Sequence, residues 1–235
     1  MSLSPSDQSK EPYWVKICLK ELFLARLEHH SLDVAEFAKR TERSHDCAIE
    51  VLSELVKLGY ATETQEAPPA KLGRKGAHPS PMMPRFSLSE KGRSRLGIVM
   101  TGGVFDILHV GHLASFEEAR SLGDLLIVVV ARDVTVQRLR HRAPVNNELD
   151  RMKLVHALSV VDLAVLGDEN DFFSTVEKLD PDLIAIGYDQ KHGITQLRKG
   201  LSLRRLHAKV VRLRSHIPRM KSSKILSKIQ EVNSL

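Results

Sequence analysis

The 235-residue sequence predicts an α/β fold with a parallel sheet, preceded by a smaller helical unit, and three observations carry the prediction. After Leu96, short apolar runs alternate with amphipathic helical stretches. Those runs, residues 125–131 above all, are apolar at nearly every position and not at every second one, as strands covered by helices on both faces require. Before Leu96 the apolar period is helical, and it gives way to two short strand-like runs around a tract rich in Pro and Gly.

In chain order, Ile17, Leu19, Leu22, Phe23 and Leu27 recur at helical spacing and predict a first helix over 13–30. Ser31 is the N-cap candidate for a second helix ending at Arg40. A third is expected over 44–58, with Cys47, Val51, Leu52 and Leu55 inward and Gly59 as its C-terminal cap. Residues 60–64 and 85–88 then read as strands. In the second half, strands are expected at 98–101, 125–131, 163–166, 183–186 and 210–213, with a helix over 112–122 and further helices in the intervals. No internal repeat is found.

Composition narrows the class. Apolar residues make up 42% and charged residues 27%, as in ordinary globular proteins, so a packed core is expected. No run approaches the ~18 apolar residues of a spanning helix. Residues 1–10 are polar and unlike a signal sequence, so 1–11 is expected to be a disordered N-terminus and the protein cytoplasmic, with no membrane partner. Cys18 and Cys47 lack metal-type spacing and are expected as buried reduced thiols. The formal charge of +6 is unevenly spread: residues 96–190 hold 8 basic and 15 acidic side chains, residues 191–235 hold 12 and 1. That basic end suits a bound polyphosphate or a nucleic acid.

The informative stretch is GGVFDILHVGH at 102–112, between the first sheet strand and a helix. Gly102 and Gly103 allow a bulky anion close to the backbone, and a helix start offers N–H groups and the positive end of its dipole. His109 and His112, three apart around Gly111, can face one side of the first turn and converge on a phosphate. Imidazoles there would stabilise charge as a phosphorus centre passes through five-coordination. The bland alternative is a pair of helix-capping histidines.

At these residues the chain resembles the nucleotidyltransferases marked by a HxGH signature, and more closely their cytidylyltransferase-like branch, whose pattern GxFDxxHxGH reads here as Gly103, Phe105, Asp106, His109, Gly111 and His112. Val104 and Val110 lie within the same nucleotide-binding stretch, and Val104 stands where a hydroxyl residue is often found. The resemblance implies a Rossmann-like domain over 96–235. Residues 122–133 are similar to the family's second strand, with Asp133 at its end. RLRHRAPVNNELDR, at 138–151, resembles a basic loop that meets the triphosphate, with Arg142 and Arg151 as contacts; Arg138, Arg140 and Arg142 could equally form a solvated face. GYDQ, with Gly187, Tyr188 and Asp189, resembles the nucleotide-holding segment. RMKSSKIL at 219–226 resembles the family's Ser/Thr-rich motif, supplying Ser222, Ser223 and a catalytic Lys224, although Arg219 and Met220 depart from the usual pattern.

The implied reaction is nucleotidyl transfer from a nucleoside triphosphate to a phosphorylated small molecule, with magnesium bridging the phosphates and pyrophosphate leaving. Residues 128–133, the loop ending at Arg151, 160–168 and GYDQ look most like archaeal FAD synthases, which implies ATP and FMN ahead of CTP. Glycerol-3-phosphate cytidylyltransferases and the adenylyltransferase domain of ADP-heptose synthases share the skeleton.

Residues 12–93 resemble a winged helix-turn-helix domain, with RFSLSEKGR at 85–93 as its last strand and closing turn. A regulator that binds DNA and senses a nucleotide or flavin is the alternative from another class. Lys71, Arg74 and Lys75 would reach DNA, while Glu50 and Glu54 on the third helix oppose it. A domain used for dimerisation, giving a homodimer, or for packing is the other reading.

Overall fold

The structure is a computed structural model that describes residues 12–66, 82–188, 193–215, 225 and 228. The chain divides into two compact units, Met1–Leu96 and Gly97–Leu235.

The first unit contains α1 (Tyr13–Leu27), α2 (Val34–Arg40), α3 (His45–Lys57), β1 (Ala61–Glu66), β2 (Met83–Leu88) and α4 (Glu90–Arg93). Helix α2 begins later than expected, because Leu32 pairs with Phe86 of β2 in an isolated bridge that keeps the backbone extended. Asp33 is therefore its cap, accepting from the N–H of Glu36 at 2.8 Å. Helix α3 starts as predicted, with the Ser44 hydroxyl accepting from the N–H of Cys47. At its end Gly59 takes a left-handed φ of 73°, and the N–H groups of Gly59 and Tyr60 donate to the carbonyls of Val56 and Leu55, the paired bonds of a Schellman cap. Strands β1 and β2 are antiparallel, Ala61 opposite Leu88. The core holds Cys18, Leu19, Leu22, Phe23, Leu52 and Leu55. Cys47 is only half-buried, which corrects the expectation of two buried thiols.

The second unit contains β3 (Ile98–Gly103), α5 (Val110–Arg120), β4 (Leu125–Val130), α6 (Asp133–Arg140), α7 (Glu148–His156), β5 (Leu163–Leu166), α8 (Phe172–Leu179), β6 (Leu183–Ile186), α9 (Ile194–Leu203) and β7 (Lys209–Arg212). The five strands form one parallel sheet in the order β5-β4-β3-β6-β7. All six residues of β4 are buried, as the unbroken apolar run predicts. Carboxylates tie strand starts together: Asp182 accepts from the N–H of Ile98 and Asp162 from that of Leu126, each at 2.7 Å.

From β3 the chain steps outward through β4 to β5, then returns to place β6 on the other side of β3. The order reverses at β3 and β6, and the crevice outside the carboxyl ends of strands at such a reversal is where open α/β sheets bind ligands. Gly102 and Gly103 end β3, and Gly187 and Tyr188 follow β6, so two of the sequence-predicted segments reach this crevice from adjacent strands.

Among the described residues, no helix is long and apolar enough to cross a membrane.

Candidate active site

The loop between β3 and α5 is shaped from within. Phe105 has φ 53°, a left-handed backbone rare for a bulky residue. Its buried ring folds back over Gly103, where a Cβ would lie 2.7 Å from the ring. The same ring meets His112 edge-on, with centroids 5.3 Å apart, and tilts against Phe116 at 5.1 Å. Gly103 is thus required by the close approach of its own loop.

His109 is the N-cap of α5, with φ −152° and ψ 167°, and Val110 begins the helix. The helix starts two residues earlier than the sequence suggests, which places His112 in its first turn. The two imidazoles stack, with centroids 3.9 Å apart and planes 18° from parallel. Two imidazoles stacked at a helix N-terminus lie together beside the positive end of its dipole, an arrangement that suits a phosphate gaining charge.

The segment after Arg140 is held by Asp106. Its carboxylate is 1% exposed, and Oδ1 accepts from the N–H groups of Val145 at 2.7 Å and Asn146 at 3.1 Å. The Asn146 side-chain amide returns a bond to the Asp106 carbonyl at 2.7 Å. Asp106 therefore fastens one loop of the site to another, with Oδ1 turned to the protein's own backbone.

Arg151 is likewise held by the protein itself. Its side chain is 0% exposed, and its donors are engaged by the carbonyls of Asn146 at 3.0 Å, Ala131 at 2.7 Å and Val104, and by Asp133 Oδ1 at 2.7 Å. A guanidinium so enclosed is a strut joining the loop before α5, the end of β4 and the start of α7.

Arg142 is different. It is 41% exposed, with Nη1 3.6 Å from Asp106 Oδ2, so it stands at the loop surface with its charge facing the site's carboxylate. Arg138 donates to the Glu169 carbonyl, and both Arg138 and Arg140 lie on α6, leaving a true loop of only 141–147.

At the other side of the crevice, Arg212 on β7 donates to the carbonyls of Gly187 at 3.0 Å and Tyr188 at 3.3 Å, fixing the segment after β6. Asp189, Ser222, Ser223 and Lys224, with Arg219 and Met220, lie outside the described residues, as do Lys71, Arg74, Lys75 and residues 1–11.

Several supporting residues carry no signal in the motifs. Asn147 caps α7 by accepting from the N–H of Asp150 at 3.0 Å, a spacing that the sequence does display. Glu148 accepts from the N–H of Asp133 and pairs with Arg132 at 2.9 Å, and Arg212 acts through the carbonyls named above. These last roles depend on residues distant in the chain and leave no local trace.

Residues 100–229, which hold this crevice, match the cytidylyltransferase-like family model. The FAD synthase of Aciduliprofundum boonei is 50% identical over 118 residues, covering 50% of this chain and 78% of that protein. The FAD synthase of Thermococcus sibiricus is 42% identical over 138 residues, 57% of this chain and 92% of that protein. Among solved structures, a lipopolysaccharide core biosynthesis protein from Thermoplasma volcanium superimposes with a TM-score of 0.50 at 42% identity, over 52% of this chain and 99% of that one. The family match takes in most of β3, the stacked histidines and the other four strands of the sheet, and the chain belongs to the cytidylyltransferase-like family of nucleotidyltransferases.

Proposed function

We propose that the chain is an FAD synthase, transferring the adenylyl group of ATP to the phosphate of FMN. The FMN phosphate oxygen attacks the α-phosphorus of ATP, the bond from that phosphorus to the β-phosphate bridging oxygen breaks, and pyrophosphate leaves with the electron pair. The observation that carries the reading is the stacked pair His109–His112 at the switch-point crevice, in a chain with FAD synthases among its relatives at 40–50% identity.

His109 and His112 hold the α-phosphate as its charge grows, and the N-terminus of α5, with Val110 and Gly111, supports them. Gly103 admits the Phe105 ring, and the loop of Gly103, Val104 and Phe105 so folded holds His112 in place beside the phosphates. Arg142 moves from Asp106 to the β- and γ-phosphates. Gly187, Tyr188 and Asp189 hold the nucleoside, and Ser222, Ser223 and Lys224 form a second phosphate cradle. Chemistry of this kind rests chiefly on positioning and charge neutralisation.

Among the described residues, no three His, Cys, Asp or Glu side chains gather so as to hold a metal ion. Magnesium in phosphate chemistry is commonly bound through substrate oxygens and one or two carboxylates, and here it would arrive with ATP. When bound, it supplies charge neutralisation on the phosphates.

Incubating the protein with ATP, FMN and magnesium, and separating the products chromatographically, tests the assignment. FAD should form, while CTP with glycerol-3-phosphate and ATP with heptose-1-phosphate should give no product. A product from either of those pairs in place of FAD would keep the reaction and replace the acceptor.

For the N-terminal unit we propose a winged helix that serves protein packing and not DNA binding. The exposed face of α3 carries Asp46, Glu50 and Glu54 against His45 and Lys57, a balance that repels a phosphate backbone. Fluorescence anisotropy with labelled duplex DNA should show no binding at roughly 50 mM salt, where phosphate contacts are strong; salt-sensitive binding lost on neutralising Lys71, Arg74 and Lys75 would reverse the assignment. Sedimentation of the same sample reports whether packing extends to a homodimer.

A further inference from the structure

Gly111, Ser115 and Glu118 recur along α5 at i, i+4 and i+7, so they share one stripe of the helix. Such a stripe usually packs with apolar side chains. Here it is polar, and it faces the chain as it leaves β7. Glu118 accepts from the N–H of Arg214 at 2.9 Å and 3.0 Å, through its two oxygens, and from the N–H of Ser215 at 2.6 Å. The Ser215 hydroxyl lies 3.5 Å from that of Ser115, which donates to the Gly111 carbonyl at 3.0 Å. That carbonyl belongs to the peptide joining Gly111 to His112. A chain of polar contacts therefore runs from the end of β7 to the peptide between the two histidines.

We infer that Glu118, acting with Ser115 and Ser215, is a positioning residue for the His109–His112 pair, fixing the end of β7 against α5, whose N-cap and first turn carry the two imidazoles. Glu118 touches no reacting group. It holds the helix in one rotational setting about its axis, and that setting decides where the imidazoles point. A carboxylate suits this role. Burial pushes its pKa up, yet the N–H groups of Arg214 and Ser215 bring it below the usual carboxylate range, so it is ionised when it accepts them. The contacts span about a hundred residues of sequence, which is why no local motif announces them.

The inference rests on the adenylyl-transfer reading of the histidine pair, and two readouts separate its failure from the failure of that reading. Glu118→Gln keeps the shape but offers one acceptor oxygen to the two donors. In steady-state FAD formation, kcat should fall about tenfold, as expected for a small misplacement of catalytic groups, with KM for ATP within about twofold of the parent. Ser115→Ala, which leaves the carboxylate in place, should give a smaller fall in the same direction. In spectra of protein carrying labelled histidine, the His109 and His112 ring resonances should shift in Glu118→Gln while those of His29, His30 and His45 stay in place. Unchanged kcat and unshifted resonances overturn the inference. So does a loss of kcat that follows a lowered melting temperature and disappears once activity is expressed per folded molecule. If the parent itself makes no FAD, the assigned reaction fails, and the resonances alone decide whether Glu118 sets the imidazoles.

Discussion

The ring of His112 lies stacked on the ring of His109, with centroids 3.9 Å apart, and stands nearly perpendicular to the ring of Phe105, with centroids 5.3 Å apart. Phe105 in turn occupies the space above Gly103. The orientation of the pair therefore depends on a glycine six residues before the first histidine. Gly103→Ala would place a methyl group 2.7 Å from the Phe105 ring, which must move and release His112. Overpacking of this kind costs about 1–3 kcal/mol. We expect a lower urea midpoint and a larger loss of kcat than of ATP affinity; a variant with parental kcat would separate the glycine from the catalytic geometry.

Arg151 is predicted to matter through loops and not through substrate. Arg151→Met retains the apolar stem but strips hydrogen bonds from three backbone carbonyls and from Asp133. Removing one partner of a buried charged network costs on the order of 3 kcal/mol, here reduced by the partial exposure of Asp133. Chemical denaturation should show that loss without any nucleotide present. If stability is retained and only KM for ATP rises, Arg151 binds the triphosphate after all.

Asp106→Ala removes the acceptor for the N–H groups of Val145 and Asn146. Leaving buried donors unsatisfied costs about 1–3 kcal/mol each, less where water enters. The loop 141–147 should then become a site of limited proteolysis. Resistance equal to the parent would show that Asn146 and Arg151 hold the loop by themselves.

The two cysteines should differ in reactivity. Cys18 is fully buried, and burial raises its thiol from 9.0 to about 11, so near neutral pH it is protonated as well as shielded. Cys47 is half-buried. An aromatic disulfide reagent should label one thiol per folded chain, and that label should vanish in Cys47→Ser. Rapid labelling of both thiols without denaturant would contradict the packing of α1.

Features that are local in the chain are legible in the sequence. The apolar runs reveal the sheet because strands covered on both faces admit few polar residues, and Gly59 marks the end of α3 because the left-handed turn there suits a residue without a Cβ. His109 and His112 are legible because the helix start, the glycines and the histidines are contiguous. The loop contacts of Asp106 and Arg151 are not legible, because a motif reports that a residue type is needed and not what its side chain touches. Their partners, Asn146 and Asp133, lie 40 and 18 residues away. Ser31 is as good a cap by type as Asp33, and only the pairing of Leu32 with Phe86 decides between them.

The most direct test of the central claim is pyrophosphate release by the purified chain with magnesium, ATP and FMN, beside His109→Ala at the same concentration. Removing a preorganised donor to a developing charge typically lowers the rate ~10²- to 10³-fold, so release should be clear in the parent and nearly absent in the variant, with both equally folded. Equal rates in parent and variant, or release that does not depend on FMN, would contradict the account.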